Sequence, residues 1–295
     1  MTRVAAVDLG TNSTRLLVAD VDGGAVQEIV RRTVVTRLGE GVDARRRLLP
    51  LPVARVRNVL SEFRREAELL GAERTLAVAT SAVRDAENGE AFLGEVEWSY
   101  GFATRLLTGD DEAAMTRAGV GSLDDETLLL DVGGGSTELS VGELRTSLDV
   151  GSVRLTERHL HGDPPTAAEL DAAATEVRSL LPPLRVRKAV GVAGTVGQLA
   201  VLLGETTLGR AQLETLAGRL AGMTVDERRS LTGLDPARAP VIAGGALIVS
   251  EVLRRYDLDA ITFSVRDLLD GAALEAALLP AREEAGAPPG AYTCC

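Results

Sequence analysis

The sequence predicts an α/β protein made of two copies of one domain facing each other, and three observations carry that prediction. Strand-like alternation and 3.6-residue helical periodicity succeed one another along the chain. A chain of 295 residues, 45% hydrophobic and 25% charged, exceeds the usual size of a single core. Finally, Asp8-Leu-Gly-Thr-Asn-Ser-Thr-Arg-Leu-Leu-Val returns without a gap as Asp131-Val-Gly-Gly-Gly-Ser-Thr-Glu-Leu-Ser-Val. Each copy is a strand ending on aspartate, a glycine-containing turn, Ser-Thr and a second strand, the mark of an internal duplication.

The first copy opens with strands at Arg3–Leu9, Arg15–Val21 and Val26–Thr36, the last two joined across Asp22-Gly23-Gly24, a hairpin signal. Pro52 to Leu70 reads as a helix, because Val53, Val56, Leu60, Phe63 and Leu70 fall near helical spacing. A strand at Thr75–Ala79, a helix at Glu87–Glu97 and a strand at Ala103–Leu107 follow. The next helix starts at Thr108, carries Asp110, Asp111 and Glu112 in its first turn, and ends at Gly119 or Gly121. Ser122–Asp125 marks the boundary between domain I (1–123) and domain II (124–280). Strands at Thr127–Asp131, Glu138–Val141 and Arg145–Val150 then repeat the opening triplet. Helical patterns at 152–160, 166–181, 194–203, 212–221, 224–231 and 237–255 come next, with a strand at Val190–Ala193 among them. A strand at 260–264 and a helix at 266–279 close domain II, and the Gly/Pro/Ala-rich tail 281–295 is expected to be disordered.

Composition excludes several function classes. Asp and Glu outnumber Lys and Arg by 43 to 32, a net charge of −11, which argues against a broad basic coat for nucleic acid or anionic membrane. Lys188 is the only lysine and no Gly-Lys dipeptide occurs, so a Walker A P-loop is ruled out. His159 and His161 are the only histidines, too few for a histidine-rich zinc site. Cys294 and Cys295 end the tail and cannot staple a core, which fits a reduced, cytoplasmic setting. The N-terminal apolar run stops at Val7, too short for a signal segment, and Val241 to Leu253 falls short of a membrane span.

The repeated turns point to phosphate chemistry. Glycine lets backbone N–H groups approach an anion closely, and Ser13, Thr14, Ser136 and Thr137 add hydroxyl donors. Asp131 ends a strand beside such a turn, placed to bind Mg²⁺ directly or through water, and Glu138 could reach the same ion or face solvent. Thr108 and Asp111 form a plausible capping box. Three acids in that turn exceed what capping needs, so Glu112 is a candidate general base if the helix start points into the cleft. Arg84, just after a strand, suits a bidentate phosphate contact or a surface salt bridge, and Arg238 is a weaker candidate for the same role. Gly194-Thr195 forms a further strand-to-helix turn suited to an anion or to plain capping.

Taken together and in order, DLGTNSTRLLV, RLGEGV (37–42), ATSAVRDAEN (79–88), TGDDEA (108–113), DVGGGSTEL (131–139), GSVRLTERHL (151–160), GVAGTVGQLA (191–200), GLDPARAPVIAGGALI (233–248) and SVRDLLDG (264–271) cover nearly the whole chain. This set resembles the exopolyphosphatase/guanosine pentaphosphate phosphohydrolase family of the actin-like superfamily. The resemblance implies two actin-like (ribonuclease H-like) domains, an active site in the cleft, and cation-dependent removal of a terminal phosphate from inorganic polyphosphate, guanosine pentaphosphate or both. By position it implies Glu112 as catalytic base and Asp131 and Glu138 as Mg²⁺-associated acids. It also implies Arg84 and Arg238 as arginines on the phosphate chain. Asn12, Ser13 and Arg15 of the first motif, with Gly133, Gly134, Gly135, Ser136 and Thr137 of the second, are the remaining phosphate-binding residues. Two departures stand out: Asp111 where relatives often carry Glu, and Pro240 after Arg238-Ala239 where they often carry Asp. The length matches the short, two-domain type, and a homodimer is a family-level expectation. Rival readings are a nucleotide-driven ATPase or phosphotransferase, and a quiet sensor of polyphosphate or guanosine alarmones. No nucleic acid or membrane partner is expected.

Overall fold

The alternating apolar residues at the start of the chain form an antiparallel meander, β1 (Thr2–Leu9), β2 (Ser13–Asp22) and β3 (Ala25–Val35), in a computed structural model that describes residues 1–280. After α1 (Val42–Arg45) and α2 (Pro50–Leu69), β4 (Arg74–Ala79) adds parallel to β1. Then come α3 (Ser81–Arg84), α4 (Gly89–Tyr100), β5 (Ala103–Leu106) and α5 (Gly109–Val120). β5 lies parallel to β4, so the sheet runs β3-β2-β1-β4-β5.

The second unit repeats this plan. β6 (Thr127–Val132), β7 (Thr137–Val141) and β8 (Leu144–Leu148) form the meander, and β9 (Lys188–Val192) pairs parallel to β6 as β4 does to β1. Between them lie α6 (Ser152–His159) and α7 (Ala167–Leu180). After β9 come α8 (Ala193–Leu203), β10 (Thr207–Gly209), α9 (Arg210–Ala221) and α10 (Val225–Arg229). A 3₁₀ turn at Pro236–Arg238, α11 (Ile242–Arg255), β11 (Ala260–Phe263) and α12 (Leu268–Ala276) complete the described chain. The sheet order is β10-β11-β9-β6-β7-β8. The fold is therefore the duplicated α/β arrangement that the repeated motif foretold. α11, buried along almost its whole length, fills the second core, and α2 covers the first sheet with Val53, Val56, Leu60 and Phe63.

The structure corrects the sequence reading in several places. The helix expected over 237–255 is broken in two, because Pro240 lacks an N–H and the chain leaves the 3₁₀ turn before α11 begins. The short α1, α3 and β10 had no periodicity long enough to read. The tail 281–295, with Cys294 and Cys295, lies outside the described residues.

The largest correction concerns α12, assigned by position to domain II. Its Leu268, Leu269, Ala272, Ala273 and Ala276 instead bury against Val4, Ala6, Leu17, Val78, Leu107 and Met115 of the first unit. An apolar stripe follows the surface that can cover it, whatever its place in the chain. Close packing on α5 requires two glycines. A Cβ on Gly119 would stand 2.1 Å from the Asp267 carbonyl oxygen, and one on Gly271 2.0 Å from that of Met115. Gly271→Ala is therefore expected to destabilise the protein by about 1–3 kcal/mol through backbone overpacking. Gly94→Ala, at an open position inside α4, is expected to stabilise by about 0.5–1 kcal/mol. Urea denaturation of the two variants measures both.

Candidate active site

The two motif turns meet at the centre of the molecule and line one cavity of about 70 Å³ between the sheets. Each turn is closed by the same hydrogen bond, Gly10 N to the Ser13 carbonyl (3.1 Å) and Gly133 N to the Ser136 carbonyl (3.0 Å). Their glycines answer to contact across the cleft as much as to anion binding. A Cβ on Gly134 would fall 2.9 Å from Thr11 Cβ, and one on Gly135 2.4 Å from Ser81 Oγ. The amides of Thr11, Asn12, Gly134 and Gly135 have no backbone acceptor among the described residues, so they are free to meet an anion. The first residues of α6 (Ser152) and α8 (Ala193, Gly194, Thr195) complete the wall; α8 turns its positive end toward it, whereas the first amides of α6 are taken by the Gly133 and Gly134 carbonyls. Ala193 holds φ at +58°, a strained conformation for a residue with a side chain, at the point where α8 meets the cavity.

Three carboxylates line this cleft and a fourth stands just behind them. Asp8 and Asp131 end the equivalent strands β1 and β6, Glu138 stands directly opposite Asp131 in the β6–β7 ladder, and Glu112 enters from the first turn of α5. All are buried. The capping box of α5 is present: Thr108 Oγ1 accepts from Asp111 N at 3.1 Å, and Asp111 accepts from Thr108 N at 3.2 Å. With Asp111 so occupied, Glu112 is the acid of that turn left to face inward. Burial, then the charges of Glu138 and Asp131, push the Glu112 carboxyl well above its ordinary range. Burial, then Glu138, does the same to Asp131, which accepts no hydrogen bond among the described residues. Burial also raises Asp8 and Glu138. Ser147 donates to one Glu138 oxygen at 2.7 Å, while the other, like Asp8 Oδ1, is buried without a partner.

The arginines divide by what holds them. Arg238 lies on Gly194, where a Cβ would come within 2.5 Å of the guanidinium, and donates to Ser13 Oγ at 3.3 Å. Its nearest carboxylate is Asp235 at 4.0 Å, and burial lowers its pKa. A cation so desolvated and so weakly paired is poised for an anion. Arg84, at the end of α3, donates to the Leu107 carbonyl at 2.8 Å and to Glu112 at 3.3 Å. Arg15 is engaged on both sides, by Asp8 at 2.8 Å and Asp267 at 2.5 Å; burial opposes its charge, but the two acids raise its pKa. It faces the cavity as a positioner of Asp8 rather than as a free phosphate ligand.

Of the residues expected from sequence, Asn12, Ser13, Arg15, Glu112, Asp131, Gly133, Gly134, Gly135, Ser136 and Arg238 line the cavity. Glu138 sits behind Asp131, in a smaller hollow with Thr116 and Ser140, and does not face solvent. Thr137 is turned away, its hydroxyl given to the Val150 carbonyl at 2.6 Å. Thr195 spends its hydroxyl on the Val132 carbonyl, tying α8 to β6. Sequence reasoning passed over Asp8, Thr11 and Asp267. The first two stand inside the repeated motif, and only α12's packing brings the third near.

The acids suit a hard cation. Among the described residues no group of three or more His, Cys, Asp and Glu forms a ready-made chelate. Yet Asp131 is unpaired and its neighbours carry orphaned oxygens, which fits an ion held by one or two carboxylates with water and phosphate filling its shell. Asp131→Asn tests this through stability. A folded carboxyl raised above its unfolded value contributes stability below the unfolded pKa and loses it as pH rises through the folded pKa, so these acids weaken the metal-free fold at neutral pH. In EDTA at pH 7 the variant should therefore be more stable than wild type. Mg²⁺ should raise the wild-type melting temperature and leave that of the variant nearly unchanged.

Comparison with known proteins assigns the chain to a family. Residues 17–279 match the Ppx/GppA phosphatase family. Exopolyphosphatase 2 of Mycobacterium tuberculosis is 41% identical, the alignment covering 94% of this chain and 99% of that protein. A crystal structure of an exopolyphosphatase-like protein superposes with a TM-score of 0.88 at 32% identity, covering 93% of this chain and 97% of the other. The Ppx/GppA phosphatase of Aquifex aeolicus gives 0.72 at 28% identity, covering 94% and 100%. The chain belongs to the Ppx/GppA phosphatase family.

Proposed function

We propose that this protein is an exopolyphosphatase, hydrolysing the terminal phosphoanhydride bond of inorganic polyphosphate. The observation that carries the reading is Glu112, a buried carboxylate at a helix start, facing a cavity walled by two phosphate-sized turns and the underpaired Arg238. The relatives named exopolyphosphatase support the substrate class.

The terminal phosphate would lie against the amides of Asn12, Gly134 and Gly135, with Ser13 and Ser136 hydroxyls and Arg238 on its oxygens. Glu112 would orient a water and accept its proton as the water oxygen bonds to phosphorus. The bridging P–O bond breaks, its electron pair stays on the shortened chain, and orthophosphate departs. Arg84 would steady Glu112 in its ionised form, since its charge opposes the upward shift of that carboxyl. A divalent cation, held by Asp131 with Glu138 behind it, would supply charge neutralisation at the phosphate oxygens. Positioning and electrostatics account for most of the catalysis, because phosphoryl transfer asks little covalent work of the protein. Among the described residues no aromatic side chain lines the cavity, so none of them offers a guanine or adenine base a stacking face. That favours an inorganic chain over guanosine pentaphosphate or ATP.

Phosphate release from long polyphosphate, guanosine pentaphosphate and ATP, each with Mg²⁺ or EDTA, tests the reading; polyphosphate should be the best substrate and EDTA should stop the reaction. A large preference for ATP would overturn it. Glu112→Gln should lower kcat by about 10²–10⁴ with KM little changed, as expected for loss of a general base.

A further inference from the structure

Arg45, Arg46 and Arg47 are the only run of three consecutive basic residues in the chain, and all three are exposed. More than half of the arginines in the described chain stand within 4.0 Å of a carboxylate. These three have no carboxylate partner among the described residues. Two of the neighbouring acids are held by other arginines: Glu40 by Arg55 at 2.8 Å, and Asp43 by Arg154 at 3.1 Å and Arg158 at 2.8 Å. In a protein of net charge −11, an unneutralised basic triplet is a local exception.

The triplet is also held in a fixed backbone. Arg46 is in the left-handed region (φ 53°), with its N–H on the Val42 carbonyl and its carbonyl accepting from Glu87 N at 2.8 Å. Asn88 clamps the next turn, accepting from Leu48 N at 2.8 Å and donating to the Leu48 carbonyl at 3.1 Å. A left-handed arginine costs about 1 kcal/mol or more and persists only where its surroundings impose it.

The segment grows directly out of the phosphate turn. Thr36 and Arg37 amides donate to the Asn12 carbonyl, and the Gly39 amide donates to that of Thr11. A few residues on, Val42 and Asp43 line a narrow crevice whose other walls include Thr11 and Gly135, residues that also line the main cavity. The triplet thus begins two residues beyond the wall of a crevice that shares Thr11 and Gly135 with the phosphate cleft. We infer that Arg45, Arg46 and Arg47 form a docking strip for the distal phosphates of a long polyphosphate chain whose terminal phosphate occupies the cleft. The inference rests on the polyphosphate reading above. Guanidinium groups suit the task, since each presents a planar fork of donors to phosphate oxygens at any ionisation the chain adopts.

Replacing all three with glutamine tests the strip, with a melting curve to show that the fold is intact. In EDTA, the Kd for long-chain polyphosphate should rise by about tenfold or more. The slope of log Kd against log salt should fall by about 2, taking about 0.7 per phosphate contact on a single strand. With Mg²⁺, KM should rise for the long chain and not for tripolyphosphate, which is too short to leave the cleft. Unchanged long-chain Kd and salt slope would overturn the strip, as would equal weakening of long and short substrates. If wild type bound long chains through the strip but released no phosphate from them, the strip would stand and the hydrolytic reading would fall.

Discussion

The structure depends on keeping four buried carboxylates together, three in the cleft and one just behind it, with too few cations to neutralise them. Asp8 receives Arg15, Glu112 receives a longer contact from Arg84, and among the described residues Asp131 and Glu138 receive none within ion-pair distance. Unpaired charge at such burial is costly, and each of these acids responds by holding its proton more tightly. A fold selected for stability alone would not retain the arrangement. On the proposed reading, a bound cation would supply the positive charge that these acids and an incoming phosphate chain both lack.

Holding those acids in place is the work of an interlocked frame. The strand equivalence of β1 and β6 sets Asp8 and Asp131 at matching positions, and the glycine turns let the two halves approach to van der Waals contact. α12 then fixes the first half from behind. Its N-cap, Asp267, accepts from Leu269 N at 2.9 Å and also binds Arg15, which in turn grips Asp8. Arg31 joins the same acids at the start of α12. A residue late in the chain thereby orients a carboxylate near its beginning. The glycines at the α5–α12 crossing matter for the same reason, since α5 carries Glu112.

The acidity of the chain and its phosphate chemistry are compatible once binding is local. The cleft meets phosphate with backbone amides, hydroxyls and one underpaired arginine, not with a basic field. The near-absence of lysine belongs to the same design: a bidentate guanidinium fixes a phosphate in one orientation, whereas an ammonium group supplies only a point charge. Acidic surface elsewhere would repel a polyanion from every place but the cleft and any arginines left free.

The sequence alone determined the duplication, the strand triplets, the capping box at Thr108 and the two glycine-containing turns, because each is written in local spacing that the backbone must obey. It also singled out Glu112, since three acids in one helical turn exceed what capping uses. Side-chain direction was a tertiary matter. Ser136 and Thr137 are neighbours in one motif, yet Ser136 lines the cavity while the Thr137 hydroxyl is given to the Val150 carbonyl. Arg15 and Arg238 could not be told apart until their partners were in view, two acids for one and a serine hydroxyl for the other. The docking of α12 on the first half was equally hidden, because an apolar stripe states that it must be covered but not by which surface. Local chemistry was legible in the chain; which groups were spent and which left free was decided only when distant segments met.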